Sequence, residues 1–522
     1  MWSGFYAIFA VLCGCTAWSV GKSSAGQPAE EAGAAPGGGL EMQSNRGFSW
    51  LDVLMWLALS MCGSLLLLGT TNQITEEIAV FPFLWIAPLA TYLLTFILTF
   101  ESDRWYRRGI FGALAGILAP ATCAIVTMSV AISVWKQLAV YLVALFVTCM
   151  VCHGELARSR PAPRNLTVYY MTISAGGALG GVFAAVLAPK LFDEFTEYMI
   201  ALAATCALGF LAWMRTGALA HWTGRNFAVR IPLMAMLFGA VTSVYSAATN
   251  QQGDLESKRN FYGILRVNEA SDGNGRFRRI THGRIQHGFQ YLDEQKKRRA
   301  TTYYGPHSGV ALALEAVRSK PRRVAIIGLG AGTLASWGRE GDQFRFYEIN
   351  PSVIDLAHKW FTYLQDSRAA TEIIVGDARV QMEKELRAGQ VHDFDVIAVD
   401  AFTSDAIPTH LLTAESGDLY RRRLARGGIL ALHISNRSLD LEPVTRGLAK
   451  HLGWQARMVL VAADLIDDNQ NGESGSRWVL LTERAETFTD SKIRNTILNW
   501  SSPKEPSITW TDDFLSLWPV LR

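Results

Sequence analysis

No cysteine follows Cys206, and charge is scarce before it. All seven cysteines (Cys13, Cys15, Cys62, Cys123, Cys149, Cys152 and Cys206) lie in the apolar first half of the chain. Cys149 and Cys152 have C-x-x-C spacing but sit inside an apolar run, so neither a disulfide framework nor a zinc site follows and no metal is expected. Charged residues are 18% of the 522, below the roughly 25% usual for soluble domains. Net formal charge is only +3, and no basic run is interleaved with aromatics, which argues against a nucleic-acid partner. The middles of the apolar runs lack charge as well: Glu76, Glu77, His153 and Glu155 fall near run ends. A proton- or ion-coupled transporter usually keeps an ionisable group at mid-membrane despite its cost, so this absence weighs against active transport.

What is present in the first half is apolar length. A helix needs about 20 apolar residues to cross a bilayer. Seven stretches meet that need: near Trp50 to Gly69, Phe81 to Phe100, Gly109 to Val134, Leu138 to Val151, Leu166 to Ala188, Tyr198 to Met214 and Ile231 to Ala248. A shorter eighth candidate, Phe5 to Val20, reads as a membrane helix, with a cleaved signal as its rival. The Gly/Ala/Pro/Glu-rich segment Gly21 to Ser49 reads as a disordered linker. Residues 1–49 thus read as an N-terminal hydrophobic segment and disordered linker, and 50–250 as a multi-pass α-helical membrane domain with the lipid bilayer as partner. Gly176, Gly177, Gly180 and Gly181 form overlapping G-x-x-x-G pairs, a helix-packing signal. Arg104, Arg107, Arg108, then Arg158, Arg160, Arg164, then Arg215 and Arg225 mark cytoplasmic loops. Strict alternation would place the C-terminal domain outside, whereas the ligand chemistry of that domain, given below, points inward; a cytoplasmic domain on the cell (inner) membrane is the expectation.

From Arg323 the pattern alternates strand and helix periods, the sign of βαβ units on a parallel sheet. Val324 to Ile327 is a buried-strand run followed at once by Gly328-Leu329-Gly330-Ala331-Gly332 and a helix-compatible stretch from Thr333. Glycines there permit a tight turn and a close ligand at a helix N-terminus. The next strand, Phe344 to Tyr347, ends at Glu348, placed to bind ribose hydroxyls. The third, Ile373 to Val375, runs into Gly376-Asp377-Ala378, a carboxylate for an adenine amino group, and the fourth, Asp395 to Val399, ends at Asp400. Ligands of such sheets bind at these carboxyl ends, so the pattern implies a nucleoside cofactor. NAD is disfavoured, because Ser336 and Trp337 stand where its loop would continue.

These residues resemble the spermidine synthases, and specifically bacterial proteins in which a polytopic membrane region is fused to a spermidine synthase-like domain. The resemblance rests on Arg259-Asn260-Phe261-Tyr262-Gly263, Thr281-His282-Gly283, His287-Gly288, Tyr303-Tyr304-Gly305-Pro306, the glycine loop, Asp400 through Pro408, His433-Ile434-Ser435-Asn436 and Trp510-Thr511-Asp512-Asp513. Phe83 to Leu89 resembles a membrane helix of the fused group.

The family implies a small N-terminal β-domain, about Phe261 to Leu292 within a lid region 258–295. That lid leans over a seven-stranded Rossmann-like sheet of the class I S-adenosylmethionine-dependent methyltransferase type, residues 296–522. It implies aminopropyl transfer from decarboxylated S-adenosylmethionine to an amine such as putrescine, releasing methylthioadenosine. By this resemblance Asp400, Tyr304 and Asp405 are catalytic, and Gly328, Gly330, Gly332, Glu348, Asp377, Ala378 and Gln286 bind the cofactor. A homodimer is compatible with it. Ala331 stands where the family carries an aspartate for the aminopropyl ammonium, and a longer loop replaces its Asp-Ser-Ser-Asp-Pro pattern. Both leave open whether the cofactor is decarboxylated or S-adenosylmethionine itself. Rival functions are another S-adenosylmethionine enzyme (methyltransferase, aminocarboxypropyl transferase or lyase) and a transporter or sensor with a non-catalytic nucleoside-binding domain. His433, within an apolar strand, reads as a hydrogen-bonded core histidine, and Asp512 and Asp513 as caps or clamps.

Overall fold

Each apolar run can satisfy its backbone only by hydrogen-bonding to itself, which favours helices. The computed structural model describes residues 48–77, 84–128, 134–216, 227–249, 253–283, 285–317, 321–401, 408–436, 439–461, 472–489, 497–498 and 506–521. Phe5 to Val20, most of the linker and Asp405 lie outside these. Among the described residues seven apolar helices are seen: α1 (Trp50–Glu77), α2 (Ile86–Glu101), α3 (Arg108–Met128), α4 (Val134–Arg158), α5 (Leu166–Val182), α6 (Thr196–Arg215) and α7 (Phe227–Thr249). Six segments are long and apolar enough to cross a membrane: α1, α3, α4, α6, α7 and the Pro163–Leu191 stretch that contains α5. Residues 81–83 of the expected span Phe81 to Phe100 lie outside the described residues, and the rest of it falls in the 16-residue α2. α4 extends beyond the expected Leu138 to Val151, because a helix keeps polar ends, here Lys136 to Gln137 and His153 to Arg158, that hydropathy trims.

The bundle turns apolar side chains both inward and outward. Ile97, Ile117, Ile231 and Phe238 are each about 60% exposed. Inside, α5 lies close against α1: a methyl group on Gly176 or Gly180 would strike the carbonyl oxygens of Leu57 and Met61 at 2.5 and 2.6 Å.

After the bundle, β1 (Asp254–Asn260), β2 (Gly263–Asp272), β3 (Gly275–His282) and β4 (Ile285–Tyr291) form an antiparallel four-stranded lid in chain order. It starts at Asp254, a little before the expected Lys258. The β2–β3 turn is set by Asp272, whose Oδ1 accepts from the amides of Asn274 and Gly275 at 2.8 and 3.1 Å. Bundle and lid belong to one compact unit, Trp50–Arg522, and buried ion pairs join them. Arg259 makes a bidentate pair with Glu197 at 2.9 and 2.8 Å and donates to the Glu194 carbonyl at 2.8 Å. Arg266 meets the Glu194 carboxylate at 2.7 Å.

The remaining strands are β5 (Arg323–Ile327), β6 (Gln343–Glu348), β7 (Ala370–Val375), β8 (Phe394–Val399), β9 (Leu424–His433), β10 (Gln455–Val461), β11 (Ser476–Thr482) and β12 (Ile497–Leu498). Their order in one sheet is β12-β10-β11-β9-β8-β5-β6-β7. β5 to β9 are parallel, while β11 and β10 run antiparallel to their neighbours. This is a Rossmann-like α/β sheet, and its eighth strand, beyond the seven expected, is the two-residue edge β12. Both faces are covered: Val324, Ile326, Phe344 and Phe346 pack on one side, and Ala325, Ile327, Tyr347 and Ile397 on the other. Continuous apolar strands rather than alternating ones follow from that. Helices α8 (Gly309–Ala316), α9 (Pro351–Trp360), α10 (Ala378–Arg387), α11 (Ala414–Arg423) and α12 (Glu442–Leu452) complete the fold.

One local expectation is corrected. The stretch from Thr333 forms a single 3-10 turn, Thr333–Trp337, not an α-helix, because Gly338 ends it and β6 begins at Gln343. The glycine loop therefore has no helix dipole behind it. Any ligand there depends on side chains and loop amides.

Candidate active site

Chain order reverses between β5 and β8, since β6 and β7 lie to one side of β5 and β8 and β9 to the other. A crevice opens at the carboxyl ends of strands flanking such a reversal. The two strand ends are tied by Asp400 N–H donating to the Ile327 carbonyl at 2.9 Å. They approach so closely that a methyl group on Gly328 would lie 2.3 Å from the Asp400 carbonyl oxygen. The lid closes from above, with Ala331 N–H donating to the His287 carbonyl at 3.3 Å. Asn260 of β1 donates to the Asn350 side chain at 2.6 Å.

Between lid and sheet lies a cleft of about 370 Å³, within the size range of small-molecule sites. Glu348, Asp377 and Asp400 all line it, as do Gly328, Gly330, Ala378 and Tyr304. Gln286 does not: it pairs with Thr281 across the lid hairpin, and His282 and His287 face the cleft instead. Gly332 is the left-handed residue that closes the loop, with φ +79°.

The three carboxylates are held differently. Glu348 accepts the amides of Leu329 and Asn350 at 2.9 and 2.8 Å. Burial nonetheless outweighs these bonds and raises its carboxyl above the usual value. Asp377 caps α10 through the Val380 amide at 2.9 Å and pairs with His410 Nε2 at 2.8 Å. Burial pushes its carboxyl up, but the His410 bond and the Val380 and Arg379 amides of α10 prevail and hold it below the usual value. Asp400 is buried and hydrogen-bonded at both oxygens. Oδ2 accepts from the Tyr304 hydroxyl, and Oδ1 lies 2.6 Å from His433 Nδ1. Burial, then the Asp400 charge, push the Tyr304 hydroxyl well above the ordinary phenol value, so it stays protonated and donates.

Sequence reasoning missed the partners of these groups. His433 is a buried, hydrogen-bonded histidine as expected, but its bond goes to Asp400. Tyr303 and Trp478 stack against its ring at 4.5 and 4.6 Å. His410 and Asn350 also line the cleft. Their only sequence signal is a polar residue just past a strand or loop, too common to single out. Asp512 lies outside the cleft lining and clamps the C-terminal segment through Arg379 and Thr413, at 2.7 and 2.9 Å. Among the described residues no group of histidine, cysteine and carboxylate side chains is placed to hold a metal.

No family model matches the chain. It is similar to a polyamine aminopropyltransferase of Vibrio vulnificus, 36% identical over 144 residues, which is 27% of this chain and 46% of the relative. It is also similar to a "Probable polyamine aminopropyl transferase" of Bifidobacterium longum, 27% identical over 180 residues, 33% of this chain and 36% of that one. The chain thus spans less than half the length of these curated relatives. Among solved structures, spermidine synthase from Thermotoga maritima matches with a TM-score of 0.34 at 17% identity, over 50% of this chain and 82% of that one. This chain is therefore similar, over part of its length, to polyamine aminopropyltransferases.

Proposed function

We propose that this chain is a membrane-embedded aminopropyltransferase that moves the aminopropyl group of decarboxylated S-adenosylmethionine to a small amine. Its apolar bundle crosses the bilayer of the cell (inner) membrane, with the catalytic domain on the cytoplasmic face. The observation that carries the reading is that Tyr304 and Asp400, hydrogen-bonded to each other and with Asp400 backed by His433, share a cleft with Glu348 and Asp377. The partial similarity to aminopropyltransferases supports it. In this reading Glu348 at the end of β6 binds the ribose, and Asp377 with Ala378 at the start of α10 binds the adenine; all three residues line the cleft.

A sulfonium is already a good leaving group, so the protein's main task is to hold the amine in line with the carbon beside sulfur. The amine arrives as an ammonium and must first lose a proton. Asp400, held in one orientation by Tyr304 and His433, accepts it. The freed nitrogen pair forms the C–N bond as the C–S bond breaks, and that bonding pair stays on sulfur, which leaves as the neutral thioether of methylthioadenosine. The oxygen of the Tyr304 hydroxyl stabilises the positive charge growing on nitrogen.

Incubation of the purified full chain with decarboxylated S-adenosylmethionine or S-adenosylmethionine and a mixed amine panel, read by mass spectrometry, tests this. Methylthioadenosine with an amine longer by one aminopropyl unit is expected. Adenosylhomocysteine as the product would instead indicate methylation, and methylthioadenosine without a longer amine would indicate a lyase or carboxypropyl reaction.

A further inference from the structure

Exposed aromatic side chains stand at both ends of the helical bundle, and contacts between helices fix which ends lie together. At one end Arg215 of α6 pairs with Asp52 of α1 at 2.7 Å, and Arg108 of α3 with Glu155 of α4 at 2.6 Å. The end of α2 joins them, with Arg160 over the Phe100 ring. So does the start of α7, since a methyl group on Gly109 would lie 3.5 Å from the Ala228 carbonyl oxygen. Trp50, Trp105 and Phe227 are exposed at this level. The opposite end holds the starts of α2 and α4 and the end of α7, where Trp85, Trp135 and Tyr245 are exposed. About 27 Å of α7 separates Phe227 from Tyr245, close to the roughly 30 Å of a hydrocarbon core. Aromatic residues favour both interfaces of a bilayer, so the two sets of rings mark its headgroup levels.

The lid rests on the second end. Ser257 of β1 donates to the Asp193 carbonyl at 3.4 Å, Arg259 pairs with Glu197, and the Ile264 amide of β2 donates to Glu76, in the last turn of α1, at 3.3 Å. Between these contacts the β1–β2 turn presents Phe261, which is 95% exposed. The turn is held. Asn260 accepts the Tyr262 amide at 2.9 Å and donates to Asn350 and Ser352, at 2.6 and 3.0 Å. Gly263 takes φ +120°, and a methyl group on it would meet Glu76 at 2.7 Å. A phenyl ring fixed in water forgoes the gain of burial. A bilayer surface is close enough to supply it. α1 is mainly apolar to Gly69 and mainly polar from Thr70 to Glu77. Those last two turns rise about 10 Å, to the outer edge of a headgroup layer that adds roughly 5–8 Å to each side of the core. Beside Phe261, Tyr262 and Ile349 line the cleft.

Building on the reading of the bundle as membrane-spanning, we propose that the Phe261 turn docks the lid on the headgroup layer of the bilayer. Bundle and lid then meet the same lipid surface, one across it and the other upon it. The ribose end of the cleft opens at that surface.

The test places a fluorescent coumarin amino acid at position 261 of the full chain in phosphatidylcholine nanodiscs. Lipids carrying a nitroxide quencher on the headgroup, or near the end of the acyl chain, report depth. Two exposed reference positions take the same probe: Ile117, midway along α3, and Val391, at the amino ends of the parallel strands and so on the sheet edge away from the lid. The headgroup quencher should lower emission at 261 at least twofold and leave Val391 within a tenth. The acyl-chain quencher should act at Ile117 and not at 261. Emission at 261 no more sensitive to the headgroup quencher than at Val391, with Ile117 still quenched, overturns the contact and leaves the membrane reading standing. Quenching at 261 by the acyl-chain label also overturns it, as does a blue shift in lipid-free detergent that grows with protein concentration and marks a second copy as the partner. No quenching at Ile117 would bring down the membrane reading itself, and this contact with it.

Discussion

Asp400 Oδ1 lies 2.6 Å from His433 Nδ1, and both side chains are buried. The bond's direction follows from the next link. Ser435 Oγ accepts the Arg477 amide at 2.8 Å and lies 2.8 Å from His433 Nε2. Its hydroxyl proton is thus free to go to Nε2, leaving Nδ1–H to donate to Asp400. Both Asp400 oxygens then receive hydrogen bonds, one from this imidazole and one from Tyr304.

Asp400→Asn should lower turnover about 10²- to 10⁴-fold, the range of a lost general base. Nucleoside affinity should stay within twofold, because ribose and adenine meet other side chains. Product formation by mass spectrometry and calorimetric binding check the two halves. Turnover unchanged by this substitution would remove Asp400 from the proton path.

His433→Ala strips the donor from Asp400 and opens a space between Tyr303 and Trp478. Loss of a stacked ring and of a buried bond to a charged group should destabilise the chain by about 2–4 kcal/mol, read as a fall in melting temperature. kcat should fall with little change in KM. His433→Gln, which can still donate, should recover most of both. If the alanine variant kept wild-type kcat, Asp400 would not depend on its neighbour.

How far the residues announce this arrangement depends on how local the signal is. Strand runs ending at Glu348, Asp377 and Asp400 were legible because burial on both sheet faces forces continuous apolar stretches, and chain reversal brings their ends together. The apolar helices were legible from length alone. The 3-10 turn at Thr333–Trp337 was not, since five residues can follow either period. The partners of Asp400 come from β9 and from the segment before α8, 33 and 96 residues away in sequence, and no local pattern encodes such pairing. The same holds for Glu76 and Ile264, which belong to different domains by composition and meet only in the fold.

Glu348 leads to a pH prediction. Its carboxyl is raised in the folded chain, chiefly by burial. The folded state therefore holds that proton more tightly than the unfolded one, whose glutamate titrates near ~4.3. Its contribution to stability thus declines as pH rises from the unfolded to the folded value. Nucleoside binding runs the other way, because ribose hydroxyls need an ionised acceptor. Affinity should fall as pH drops through the raised folded value, above where a free glutamate would titrate. Glu348→Gln should weaken binding at neutral pH and flatten the profile. A wild-type affinity that does not vary between pH 4.5 and 8 would mean the ribose lies elsewhere.

Arg259 and Glu197 give the last prediction. Their side chains are 5% and 1% exposed and join β1 of the lid to the start of α6. Arg259 also lies 4.4 Å over the Phe195 ring. Removing one charge leaves the other buried without its partner, a loss of about 3–5 kcal/mol, whereas replacing both by apolar groups of similar volume can be close to neutral. Arg259→Met alone should therefore lower the melting temperature in detergent markedly and make the lid cleavable by protease. The Arg259→Met, Glu197→Met pair should recover much of the lost stability. If catalysis needs the lid held on the bundle through this polar contact, the double variant should remain slow in turnover even when its melting temperature is restored. Full activity in that variant would show that apolar packing alone seats the lid.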